Sequence, residues 1–276
     1  MRVPGRAGRS PTTSLTGRRV VVTGASRGIG RAVAERFSAA GAQVVLVARG
    51  SEALDSAAAA TGGQAVPCDL ADAAARRRLI AEVEATGPVD VLVNNAGISH
   101  VGHVLDIDLE EIQQLVEVDL IAPMQLCRAW LPGMLDRGHG HLVNVSSLAA
   151  VMSPPGLASY SAAKAGLSAF TAGLRQDLRD LPVRLTTVHL GSVPTELDDA
   201  SREYGPLREA AASSNGRDVT PLPVVAEAIV DAVRTGRTEV RLPRAMAPLP
   251  ALTEAPRALT RALFRRYAVG PSGSQA

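Results

Sequence analysis

Only two cysteines, Cys68 and Cys127, occur in 276 residues, which excludes a disulfide framework and any cysteine-built metal cage. No apolar run approaches the roughly 18–20 residues that a membrane span requires. Residues 1–17 carry Arg2, Arg6 and Arg9 but no apolar stretch, so they do not read as a secretory signal. Their prolines and glycines argue equally against an amphipathic transit helix. An excess of one charge is missing as well: 29 Lys+Arg against 27 Asp+Glu leave a formal +2, so there is no bulk electrostatic case for nucleic acid. The expectation is a soluble, cytoplasmic protein in a reducing compartment.

Lysine is the scarcest of the charged residues. Of the 29 basic side chains, 28 are Arg and one is Lys164. Where an exposed positive charge suffices, this chain uses Arg. Position 164 therefore calls for something a guanidinium does not supply, a compact point charge on a slim stem.

What is present is 46% hydrophobic and 20% charged residues, enough for a sizeable core and one α/β domain or two small ones. Short β-branched runs at 20–22, 44–47, 65–66, 89–93, 142–145, 185–190 and 239–242 read as buried strands. Residues 30–40, 71–85, 109–135, 158–181 and 224–235 have helical length and periodicity. This alternation predicts a doubly wound, mainly parallel Rossmann-type sheet with helices on both faces. Residues 1–16 read as a flexible tail, 17–243 as the single domain and 244–276 as a C-terminal extension. The stretch 192–222 is polar and punctuated by Gly and Pro, which suits a mobile loop or lid.

After the first strand the chain reads Thr23-Gly24-Ala25-Ser26-Arg27-Gly28-Ile29-Gly30 and enters a helix. Glycines at such a turn allow close backbone approach, so that phosphates can sit at the helix N-terminus. A Gly-rich turn alone is a weak signal; here it has a strand before it and a helix after it. Gly24, Ser26, Arg27, Gly28, Ile29 and Gly30 are accordingly candidate cofactor ligands. The second strand ends in Val47-Ala48-Arg49, with no acid to take a ribose 2′-hydroxyl. Arg49 and Arg27 together favour the 2′-phosphate of NADP(H). Beyond the third strand stands Cys68-Asp69-Leu70, where Asp69 can accept from an adenine amino group or cap the following helix. The fourth strand ends in Asn94-Asn95-Ala96-Gly97, small residues at the sheet edge where open α/β folds bind ligands.

Tyr160-Ser161-Ala162-Ala163-Lys164 opens a predicted helix and places phenol and ammonium on one face, at i and i+4. A nearby cation stabilises phenolate, lowering the tyrosine pKa from about 10 towards working pH. Tyr160 then serves as general acid towards a ketone, or base towards an alcohol. Ser147, at the end of the fifth strand, can donate to the substrate oxygen as charge develops there.

Taken together, residues 18–242 resemble the short-chain dehydrogenases/reductases of the single-domain, NADP(H)-dependent branch. The resemblance rests on Thr23–Gly30, Asp69, Asn94–Gly97, Ser147, Tyr160–Lys164 and Gly191 through Thr195, and its Ser-to-Tyr spacing selects Ser147 over Ser146. It implies that Lys164 also binds the nicotinamide ribose and that Val193 and Thr195 hold the carboxamide. Asp69, Leu70, Asn95, Ala96 and Gly97 join the cofactor set, and a homodimer or homotetramer is expected. Three departures stand out. Asp119 replaces the family's Asn, Leu190 replaces the Pro before Gly191, and the Gly-Gly ending of the carrier-linked ketoacyl reductases is missing. In the family the helix kinks at position 119, and its carbonyl holds a water that links the catalytic Lys to solvent. Pro123, with no N–H, frees that carbonyl here too. Asp119 thus joins Ser147, Tyr160 and Lys164 as a candidate catalytic residue.

The apolar stretch 148–157 should form one wall of the pocket and suits a hydrophobic carbonyl substrate, although such a loop also suits the core. The expected activity is hydride transfer between NADP(H) and a ketone or secondary alcohol. The alternatives are a carrier-linked 3-ketoacyl reductase and a non-catalytic dinucleotide sensor. His100 and His103, just beyond the Asn-Asn-Ala-Gly turn, could line the substrate mouth; two His with no nearby carboxylate ligand make a poor metal site, so they read as loop surface. Leu259, Leu263, Phe264 and Tyr267, interleaved with Arg257, Arg261, Arg265 and Arg266, form a basic amphipathic pattern. It suits peripheral membrane contact, a pocket cover or a subunit contact.

Overall fold

Branched residues build the strands: β1 (Arg19–Thr23), β2 (Gln43–Ala48), β3 (Gln64–Pro67), β4 (Val91–Asn94), β5 (Gly140–Ser147), β6 (Val183–Leu190) and β7 (Glu239–Leu242). All pair in parallel, in the order β3-β2-β1-β4-β5-β6-β7. A computed structural model describes residues 13–205, 207–209 and 219–246. Because successive side chains alternate across a strand, Val20 and Val22 join the core under one layer of helices and Val21 the core under the other.

The first layer is α1 (Gly28–Ala39), α2 (Glu52–Thr61) and α9 (Leu222–Thr235), packed through Val33, Phe37, Leu54, Ile229 and Val233. The second contains α3 (Ala73–Ala85), α5 (Ala122–Asp136) and α7 (Ala158–Asp177), with α4 (Leu109–Val116) leading into α5. On α5, Leu126, Trp130 and Met134 recur every four residues and form its buried stripe. Two shorter helices are also described, α6 (Ala149–Met152) after β5 and α8 (Glu196–Glu203) after β6.

Several elements differ from the sequence reading. Helix α2 was not anticipated; Ser51 caps its start and Gly62, at φ +62°, ends it. The single helix expected over 109–135 is broken by one π-helical turn, Glu117–Ile121, in which the Ala122 N–H donates to the Glu117 carbonyl. Pro123, lacking an N–H, interrupts the regular ladder there. The stretch 192–222 is not wholly irregular, because Thr195 caps α8 with its side chain. Inside the segment read as a tail, Leu15 is buried and the Thr13 N–H donates to the Arg234 carbonyl, so the chain is anchored from Thr13. Residues 1–12 and the amphipathic stretch 253–268 lie outside the described residues. Among the described residues no helix is long and apolar enough to cross a membrane, and no group of three His, Cys, Asp or Glu is placed to hold a metal ion.

The chain leaves β1 towards β2 and later returns to β4 on the other side of β1. That reversal opens a crevice at the carboxyl ends of the strands, where the candidate residues gather.

Candidate active site

The glycine-rich turn is shaped by what surrounds it. Gly24 has φ +67°, and a Cβ there would lie 2.8 Å from the Ala96 Cα. A Cβ on Gly30 would lie 2.1 Å from the Gly24 carbonyl oxygen, so neither position admits a side chain. Thr23 Oγ1 accepts from the N–H groups of Asn95 and Ala96, each at 3.0 Å, and the Asn95 amide donates to the Thr23 carbonyl at 3.0 Å. Asn95 is thereby committed to joining the β1 and β4 ends. Ser26 and Ile29 are half-buried in the turn. Helix α1 begins without a side-chain cap and without an acid in its first turn, which leaves its N–H groups for an anion.

Around this turn the outer candidates divide. Arg27 is exposed and ion-paired with Glu196 of α8, a partner 169 residues away that no local pattern marks. Arg49 is exposed on an open groove of about 370 Å³ shared with Asp69, Asp72 and Arg78, so Arg78 is a further cation beside Arg49. Asp69 is not the cap of α3: it accepts from the Ala71 N–H at 2.9 Å, while Asp72 caps the helix through the Ala74 N–H at 2.7 Å. Leu70 is buried, and its carbonyl accepts from Arg76, which also pairs with Glu117 of the π turn at 2.8 Å. Val193 is buried, and the Thr195 methyl lies 3.3 Å from where a Cβ on Gly28 would stand. At the far end of α8, Tyr204 lies against Gly156. Helix α8 therefore spans from the cofactor turn to the loop before α7.

The catalytic candidates meet between β5 and α7. Strand alternation turns Ser146 to bond Ser168 at 2.8 Å and the Lys164 carbonyl at 3.1 Å. Ser147 points the other way: its Oγ accepts from the Ala149 N–H at 3.1 Å and donates to the Leu190 carbonyl at 3.4 Å, and it favours the ionised form of the nearby Tyr160 phenol. Lys164 is buried, with Nζ 3.2 Å from the Val145 carbonyl, 5.7 Å from the Tyr160 ring centre and 3.1 Å from Asp119 Oδ2. Asp119 Oδ1 accepts from the Ile98 N–H at 2.8 Å. Gly97 has to be small, because a Cβ would sit 3.1 Å from Asp119 Oδ2 and 3.2 Å from Lys164 Nζ. The two thiols take no part: burial pushes Cys68 up to about 11 and Cys127 up to about 12.

One expectation is reversed. Burial holds the Tyr160 phenol above its ordinary pKa; Lys164 pulls it down, but the Asp119 carboxylate adds to the rise. Burial likewise raises the Asp119 carboxyl, against the pull of Lys164. For Lys164, burial opposes the charge, yet Asp119 and Tyr160 outweigh it and leave the ammonium above its usual value. The cation that should favour tyrosinate is thus shared with a carboxylate. Asp119→Asn removes that competitor, so the pH at which alcohol oxidation becomes fast should move downward. Its kcat should stay within about a hundredfold of wild type, roughly 2.7 kcal/mol. Profiles of kcat against pH for both forms check this, and a larger loss would make the carboxylate indispensable.

Two other expectations change in detail. In the stretch 148–157, Leu148, Ala149 and Leu157 are buried in the protein and Met152 is exposed, so the wall is partly core. His100 is not plain loop surface: its Nδ1 lies 3.1 Å from Glu111, whose other oxygen accepts from the Asp108 N–H at 3.1 Å in a capping box. His103 caps a short 3₁₀ turn through the Leu105 N–H at 3.3 Å. The capping box is readable from Asp108 and Glu111 alone; the reach of Glu111 to His100 is not.

A family model described as short chain dehydrogenase matches residues 18–204. The ketoacyl reductase HetN of a Nostoc species is 37% identical over 235 residues, covering 83% of this chain and 79% of that protein. A fatty acyl-CoA reductase of Mycobacterium tuberculosis is 37% identical over 203 residues, covering 70% of this chain and 69% of its own length. Among solved structures, a metagenomic short-chain oxidoreductase in complex with NADP superposes with a TM-score of 0.68 at 34% identity, covering 83% of this chain and 98% of that one.

Proposed function

This chain belongs to the short-chain dehydrogenase family of oxidoreductases, and from that premise we propose that it reduces a ketone, or oxidises the matching secondary alcohol, with NADP(H). The observation that carries the reading is that Lys164, beside the Tyr160 ring, lies against Gly97, whose neighbour Ala96 packs on Gly24 of the turn that leads into the uncapped α1. The residues suit a nicotinamide dinucleotide: the cradle at Gly24 and Gly30 is one a Cβ would fill, and the first N–H groups of α1 have no side-chain partner. When bound, such a cofactor supplies or accepts the hydride. Gly24, Ser26, Gly28, Ile29 and Gly30 would hold its phosphates, Asp69, Leu70, Asn95, Ala96 and Gly97 its adenosine side, and Val193 and Thr195 its carboxamide. Ser147 fixes the substrate oxygen, and Tyr160 gives that oxygen its proton or takes it back. Lys164 holds positive charge next to the phenol and binds the ribose.

Arg49 and Arg27 support NADP(H) over NAD(H), but unequally. Arg27 must leave Glu196 before it reaches a 2′-phosphate, whereas no ion pair is seen for Arg49 among the described residues. Arg49→Ala should therefore weaken NADPH binding by about tenfold or more, the value of one charge-assisted contact, and leave NADH binding unchanged. Titrating wild type and variant with both cofactors tests this; equal wild-type affinities would refute the NADP(H) reading.

A second reading, reduction of a ketoacyl thioester, is favoured by the likeness to a ketoacyl reductase and to a fatty acyl-CoA reductase. A panel of ketones, steroids and acyl thioesters, followed by NADPH oxidation, decides between the two. Turnover of thioesters alone would establish the second.

A further inference from the structure

Carbonyl reduction consumes one proton per turnover, passed from Tyr160 to the substrate oxygen, and the phenolate left behind has to be recharged from solvent. Direct access is closed on the Lys164 side, where the ammonium and Asp119 form a pair only 5% and 0% exposed. The loop after β4 leads outward from that pair. Its Ile98 N–H holds Asp119 Oδ1, and Ser99 and His100 follow in the chain. Exposure then rises to 24% at the His100 side chain and 42% at its partner Glu111.

Three buried polar atoms on this loop and on the π turn it contacts are left unsatisfied. Ser99 Oγ and His100 Nε2 are buried with no hydrogen-bond partner, and Asp119 Oδ2 has none beyond its ion pair with Lys164. Buried polar atoms in folded proteins are rarely left unsatisfied, and ordered water is their usual partner where no side chain serves. A carboxylate oxygen, a ring nitrogen and a hydroxyl left without hydrogen-bond partners on and next to this loop suit ordered water between them, in contrast to the apolar packing of α5 on the sheet.

We propose that Glu111, His100 and Asp119 form a side-chain proton route from solvent to Lys164. The route rests on the reductase reading above and supplies the proton which that reaction consumes. Glu111 takes a proton from bulk water and passes it to His100 Nδ1. The ring releases its Nε2 proton inward, through Ser99 Oγ or a water, to Asp119. Asp119 recharges Lys164 after the ammonium has given a proton towards the Tyr160 phenolate. One proton enters at Glu111 for each one that leaves on the substrate oxygen; the imidazole starts as its Nε2–H tautomer, is left as Nδ1–H, and returns by a ring flip or by exchange with water before the next turnover. Glu111 is a positioning residue as well, since the capping box at Asp108 holds its second oxygen and aims the first at His100.

The test uses the full chain and the carbonyl substrate identified by the panel. His100→Ala should lower kcat by about tenfold with the substrate KM within about twofold, and added imidazole should restore most of the loss. The solvent deuterium isotope effect on kcat should rise. In an Asp119→Asn background the same substitution should cost less than about twofold, because the route is already cut. Glu111→Gln, which keeps the cap, should give a smaller loss of the same kind. His100→Gln replaces the alanine variant if that one does not fold. A raised KM at unchanged kcat would overturn the route and assign His100 to the substrate mouth. A kcat loss that imidazole does not restore, with an unchanged isotope effect, would overturn it in favour of a structural role. A wild type inactive on every carbonyl would overturn the reductase reading and the route together.

Discussion

Tyr160→Phe should lower kcat by about a thousandfold or more while dinucleotide affinity stays within about twofold of wild type. The substitution removes one oxygen and leaves the ring. That ring contributes packing beside Lys164, whose Nζ lies 5.7 Å from its centre, and none of the phosphate contacts of the glycine-rich turn. The loss should be in kcat because the phenol acts only once hydride transfer has placed charge on the substrate oxygen. Stopped-flow turnover and a binding titration on the same preparation separate the two quantities. A variant retaining a tenth of wild-type kcat would show that another group, Ser147 first of all, passes the proton.

An equally large effect, this time on stability, is expected for Lys164→Met. The ammonium is the ion-pair partner of a carboxylate that has no solvent exposure, so its removal leaves a buried charge uncompensated. Breaking such a pair from one side costs about 3–5 kcal/mol. The deficit should depend on pH in a defined sense. Burial already raises the Asp119 pKa, and losing Lys164 raises it further, so the folded variant holds a proton that the unfolded chain gives up. Stability should then be least affected at low pH and fall as pH rises above the ordinary carboxylate range. Lys164→Met combined with Asp119→Asn should recover most of the loss, since neither charge remains, while turnover stays absent in both. Denaturant midpoints at two pH values and a double-mutant cycle read this directly. If the single variant were as stable as wild type, the buried pair would have no structural weight.

Local periodicity made the frame legible. Branched runs gave every strand of the sheet, and the glycine-rich turn stood between a strand and a helix as its residues require. Tyr160 and Lys164 were legible together because i and i+4 on a helix share a face whatever the tertiary setting. Helix α2 has local start and stop signals in Ser51 and Gly62, whereas what is illegible at the site involves distance in sequence or solvent. Nothing near Arg27 foretells Glu196, and nothing near His100 foretells that Glu111 turns back to it. The direction of the Tyr160 shift is not legible in the sequence, because burial and the Asp119 carboxylate outweigh the neighbouring cation, and both depend on the packed fold. Helix α8 was partly legible. Thr195 followed by Glu196, Asp198 and Asp199 is a cap and an acidic first turn, a start signal hidden within a stretch otherwise rich in Gly and Pro.

The solitary lysine, 4% exposed, also decides how reagents meet this protein. Acylating reagents that seek side-chain amines find none on the surface, so coupling through lysine cannot decorate the folded domain without first opening helix α7. A protease that cuts after lysine has one bond to cleave in the whole chain, and that bond lies inside the helix carrying Tyr160. Its rate of cutting is a clock for the opening of the catalytic helix, with two fragments as the only product.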